Sequence, residues 1–123
     1  MDVIEIAGTR SVVLDSDDGP IADAKGLVWW LGDVMGEEAR ALVVPVESLP
    51  ESFFDLRSGL AGEVLQKASN YRIVFAVVGD VTGYTAASRA FHDLVVEAQH
   101  AKGYAFAPDM AALETRFAAM AQA

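Results

Sequence analysis

Two short runs constrain this chain more than anything else in it: ALVVPV, residues 41–46, and YRIVFAVVG, residues 71–79. Both are rich in β-branched residues, the second also carries two aromatics, and both are short for a helix. A strand wet on one face alternates apolar and polar residues. These runs do not alternate, which is the pattern of strands covered on both faces. Between them, Leu56, Leu60, Val64, Leu65 and Ala68 recur with the helical period and form one stripe. Strand, amphipathic helix and strand in succession imply parallel neighbours joined by a right-handed crossover. Pro45 cannot donate to a ladder, so it is expected at a strand end or an edge position.

The flanking segments extend the pattern. VIEIAG alternates apolar and acidic residues, and SVVLD follows after a short gap, so a hairpin is expected at the start. SDDGP is a run of cap and turn residues, with Pro20 expected at the first position of a helix. That helix carries Ile21, Ala24, Val28, Leu31 and Met35, widened by Leu27 and Val34, and ends at Gly36 or the segment 37–39. After DVTGYT, with Thr85 as candidate cap, a third helix turns Ala87, Phe91, Leu94, Val95, Ala98 and Ala101 inward, and Gly103 closes it. YAFA reads as a strand. PDMAALETRFAAM reads as a final helix with Ala112, Leu113, Phe117 and Met120 inward. The expected order is β-β-α-β-α-β-α-β-α, a single α/β domain over residues 1–123 with a mixed, largely parallel sheet.

Composition narrows the chemistry. The 123 residues are 53% hydrophobic, too many for a disordered regulator, and contain no cysteine, which removes disulfides and thiolate chemistry. No apolar run is long enough to cross a bilayer, and the start lacks a signal-peptide pattern, so a cytoplasmic protein off the membrane is expected. Net charge is −9, and Arg57, Lys67, Arg72, Arg89, Lys102 and Arg116 fall singly along the chain, so no nucleic-acid partner is expected. His92 and His100 lie off the apolar stripe with no positioned base or metal-ligand spacing. GDVTG lacks the lysine of a phosphate loop. The residues name no catalytic group, metal or cofactor, and a binding module is favoured over an enzyme.

Where FFDLRSGL opens the second helix two readings stand: a polar capping turn with a glycine for close helix–sheet packing, which residue chemistry alone favours, and a binding rim. Asp55 is a cap-type residue, which puts Arg57, Ser58 and Gly59 in the first turn, where free amides attract anions. Ser58 lies off the apolar stripe, so its removal is expected to leave stability nearly unchanged. Asp80, Thr82, Tyr84 and Thr85 follow the second apolar strand, either as an ordinary strand-to-helix turn or as part of the same rim, since open α/β sheets bind at the carboxyl ends of their strands. Trp29 and Trp30 point about 100° apart on a helix, so either one covers the core edge and the other is exposed, or both flank a wide apolar face. A homodimer through either tryptophan, or through the edge near Tyr104, is expected from that aromatic surplus.

LPESFFDLRSGLAGEVLQKASNYRIVFAVVGD followed by YTAAS resembles the uncharacterised bacterial domain-of-unknown-function-4180 family, and the likeness covers nearly the whole chain. More distantly, the element order and the DLRSGL turn resemble the STAS-type anti-sigma-factor antagonists. Those carry an Asp-Ser-Ser/Thr-Gly-Leu turn whose residue before the glycine is phosphorylated by a partner kinase. The resemblance implies a regulatory module with Ser58 at that position and Gly59 and Leu60 matching. Arg57 stands where the preceding Ser would be, and Leu56 separates Asp55 from it. Two functions are thus in view: a STAS-like module docking a protein at this rim, or a small-molecule-binding domain or minor enzyme using loop 80–85. A convergent pocket favours the second and a flat rim the first.

Overall fold

In the computed structural model, which describes residues 1–121, the chain opens with an antiparallel hairpin of β1 (Asp2–Ile6) and β2 (Thr9–Val13). Its two-residue turn, Ala7 and Gly8, has positive φ at both positions, 49° and 83°. That is the mirror-image turn whose twist matches the flanking strands. The later strands all run parallel to β2: β3 (Ala41–Pro45), β4 (Val74–Val78) and β5 (Tyr104–Ala107). The two apolar runs are therefore adjacent parallel strands, and Pro45 sits at the end of its strand as its missing N–H requires.

The strands lie in the order β1-β2-β3-β4-β5. Each parallel strand is added on the same side of the last, so right-handed crossovers place their helices on one face. Those helices are α1 (Ala24–Gly36), α2 (Glu51–Phe54), α3 (Leu60–Asn70), α4 (Thr82–Ala87) and α5 (Arg89–Ala98). The last helix, α6 (Met110–Ala121), builds a separate core. In the larger core Val12, Leu42, Val44, Phe75 and Val77 meet Leu27, Leu31, Val64 and Phe91. In the smaller one Ala41, Ala76, Ala105 and Ala107 meet Leu113 and Phe117. The sheet residues facing α6 are thus mainly small, and that helix supplies the large side chains. Because strand order never reverses, the sheet has no switch-point crevice of the kind where doubly wound folds hold their ligands.

Several helix boundaries differ from the sequence reading, among them the end of α5, which stops at Ala98 and not at Gly103. Pro20 does not begin α1. Asp23 caps it, its Oδ1 accepting from the Gly26 N–H at 3.0 Å, and Ile21 is a buried anchor whose N–H donates to Ser48 O at 2.8 Å. The inward face is Leu27, Leu31 and Val34, leaving Met35 exposed. The second and third helices are each broken. Gly59 separates a short turn from α3, and Ser88 separates α4 from α5, its hydroxyl accepting from the Phe91 N–H at 3.1 Å. Thr85 is therefore inside α4 and not a cap, and Ala87 faces out.

Candidate functional site

The segment after β3 is a succession of short, individually capped turns. Pro45 and Pro50 each hold extended backbone before a helical turn, 3-10 at Val46–Ser48 and α2 at Glu51–Phe54. Asp55 then caps a 3-10 turn over Leu56–Ser58, its Oδ1 accepting from the Arg57 N–H at 3.2 Å and from Arg57 Nε at 3.3 Å. Gly59 follows with φ 81°, a left-handed joint where a Cβ would be strained. Only then does α3 begin. The Ser58 hydroxyl closes the joint: it donates to Ser52 O at 2.6 Å and accepts from the Leu60 N–H at 3.2 Å. Asp55 caps the short turn rather than α3, and Ser58 precedes α3 rather than lying in its first turn. The RSG triplet is thus an arginine aimed at solvent, a serine clasp and a glycine hinge.

The adjacent phenylalanines divide the work of seating this segment. Phe53 is fully buried, 5.9 Å from Phe75 of β4. Phe54 stacks on Tyr84 at 3.8 Å with planes 7° apart, and meets Phe91 edge-on at 5.4 Å. The stack bridges the segment following β3 and the helix following β4. It floors an open groove of about 550 Å³. Asp55, Leu56 and Arg57 form one wall, and Tyr84, Ala87 and Ser88 the other. The Arg57 side chain is 92% exposed, so its ion pair with Asp55 leaves most of the guanidinium free.

The structure splits the predicted rim three ways. Asp55, Arg57 and Tyr84 meet in the groove. Ser58 and Gly59 open onto another hollow, beside Asp23 and Glu63. Asp80, Thr82 and Thr85 form a self-contained turn. Asp80 Oδ1 accepts from the Thr82 hydroxyl at 2.6 Å and its N–H at 2.9 Å, and Thr85 donates its hydroxyl to Thr82 O at 3.1 Å. The bonds from Thr82 hold the Asp80 carboxyl below the usual carboxylate range. Phe54, Ala87 and Ser88 were not expected at the site; the one available signal was the FF pair, since a single buried position needs only one ring.

Elsewhere, Trp29 is 63% exposed while Trp30 packs against the larger core, the rings edge-to-face at 4.7 Å. His92 and His100 are exposed, and among the described residues no group of three or more potential ligands can hold a metal ion. Burial, reinforced by Glu97, pushes the Tyr104 phenol above its ordinary range. No helix among the described residues is long and apolar enough to cross a membrane.

The family model for the domain of unknown function DUF4180 matches residues 6–117. The chain belongs to this family. No curated protein and no solved structure matches it. The matched DUF4180 span runs from the end of β1 to Phe117 in α6, so the Phe54–Tyr84 groove lies wholly inside the family's domain.

Proposed function

We propose that this DUF4180 domain is a non-enzymatic, cytoplasmic regulatory module that binds a segment of a protein partner along the Phe54–Tyr84 groove. The observation that carries the reading is the groove itself: an apolar aromatic floor, open above, with its charged groups on the wall. A partner side chain seated on the floor gains apolar burial, and an acidic residue beside it pairs with the free face of Arg57. The volume is also one a small molecule could fill. Small-molecule sites, however, depend on several polar groups that converge on the ligand. Here Asp55 is engaged with Arg57, and the carboxylate of loop 80–85 is engaged with Thr82.

Ser58 gives the module a control point, consistent with the STAS-like resemblance. A phosphoryl group there brings about −1.5 to −2 charges. It removes the donor to Ser52 and stands in the hollow shared with Asp23 and Glu63. Like charges then loosen the clasp that sets α2 against α3, and with it one wall of the groove. We further propose a homodimer through the α1 surface that carries the exposed Trp29. The test is affinity capture from a native lysate with the intact chain, Ala87→Arg, which fills the groove from an exposed position, and Ser58→Asp. A protein retained by the intact chain and lost with both variants supports the reading. Equal retention by all three refutes it.

A further inference from the structure

The sheet edge where the parallel strands begin carries a feature that is invisible in the linear sequence. Arg40 stands immediately before β3, Arg72 shortly before β4 and Lys102 shortly before β5. Scattered in sequence, they line one cavity of about 230 Å³ in a chain of net charge −9. Thr9 adds a hydroxyl at its mouth. Val74, Phe117 and Met120 give it an apolar wall, and no carboxylate lines it among the described residues.

Helix ends explain some cations at such an edge, because terminal carbonyls attract positive charge. That role is already filled by other residues. Arg10 Nε donates to Glu37 O at the end of α1, at 2.9 Å, and Arg116 donates to Ala98 O and Ala101 O beyond α5. Arg40, Arg72 and Lys102 make no ion pair among the described residues. Arg40 is pinned through its backbone, its N–H donating to Arg10 O at 2.8 Å and its carbonyl accepting from the Val74 N–H at 2.9 Å. Arg72 holds a left-handed backbone, φ 57°, at the end of α3, where glycine is the unstrained choice. Glu38 closes α1 in the same left-handed way, φ 55°, so this backbone is the fold's helix-end cap, and what sets Arg72 apart is its place beside two more unpaired cations.

We propose that this cavity binds a small phosphate monoester with an apolar body. Two guanidinium forks and an ammonium suit a dianionic phosphate better than a single carboxylate charge. Phe117 and Met120 meet the organic part. The site is independent of the groove, which lies at the other ends of the strands, so either can fail without the other.

The test is an amide NMR titration of the intact chain with phenyl phosphate, with inorganic phosphate and phenylacetate as comparison arms. Saturable shifts confined to Thr9, Arg40, Arg72, Lys102 and the end of α6 are expected, with both comparison arms weaker. Arg72→Gln and Lys102→Gln should each weaken binding about tenfold, the order expected for one charge-assisted contact. Both positions are exposed, so the spectra should stay dispersed; if one variant unfolds, the other carries the test. Shifts that never saturate, or that spread to Arg57 and Arg89, overturn the proposal. So does phenylacetate or inorganic phosphate binding as tightly as phenyl phosphate, or a folded variant binding as the intact chain does.

Discussion

Ser58 shows how far residue chemistry can be read without a fold. Its exposure was expected from a place off the Leu60 and Val64 stripe; Ser58 is exposed, but in the 3-10 turn before α3, where that stripe does not reach. Its bond to Ser52, six residues earlier, was not legible, because that contact exists only once the extended Asp55 breaks the chain between α2 and the 3-10 turn. The sequence expectation that Ser58→Ala is neutral is therefore replaced. Losing the clasp and the cap on Leu60 should cost about 1 kcal/mol, and Gly59→Ala about 1–2 kcal/mol through its φ, both measured by urea unfolding. Retained stability in both variants would show that the joint is not formed in solution. Asp80 offers a pH test. Its folded-state pKa is depressed by Thr82, so the turn's contribution is complete above the ordinary carboxylate range and lost as pH falls through the lowered value. The Thr82 amide resonance should report Asp80 ionisation at a pH below that of ordinary aspartates; titration at the ordinary value contradicts the turn.

Among the elements, the strands were the most legible, because continuous apolar runs leave no helical alternative of adequate length. The parallel pair and the final helix stand where the patterning placed them, and the hairpin forms with its turn two residues earlier, at Ala7 and Gly8, so that Thr9 and Arg10 belong to β2. Helix continuity was not legible. The apolar stripe runs on across Gly59 and across Ser88, so periodicity alone joins what the backbone breaks. Gly79 marks a close approach that no pattern announces. With φ 138° at the end of β4, a Cβ there would lie 2.9 Å from Val46 Cβ in the turn after β3. Gly79→Ala should accordingly destabilise by about 1–3 kcal/mol, as overpacking does. Leu60→Ala, a core truncation at the start of α3, should cost about 2–5 kcal/mol. Thermal unfolding of the two variants checks both; an unchanged midpoint in either contradicts the packing around the candidate groove.

At the scale of the whole molecule, a one-way strand order gathers the loops after β3 and β4 side by side without opening a crevice between them. What the carboxyl ends offer is therefore a surface groove, and its two walls come from consecutive crossovers. The exposed Trp29 of α1 lies outside the groove. Light scattering should give a dimer that Trp29→Ser shifts to monomer, and a monomer at high concentration refutes the homodimer. The groove is tested most directly by Tyr84→Ala, which deletes half of the stacked floor while Phe54 stays anchored on Phe91 and Phe53 on Phe75. A partner identified by capture with the intact chain should bind Tyr84→Ala at least tenfold more weakly by calorimetry, while the variant keeps its dispersed amide spectrum. Undiminished affinity in that folded variant would contradict the groove as the working surface of this domain.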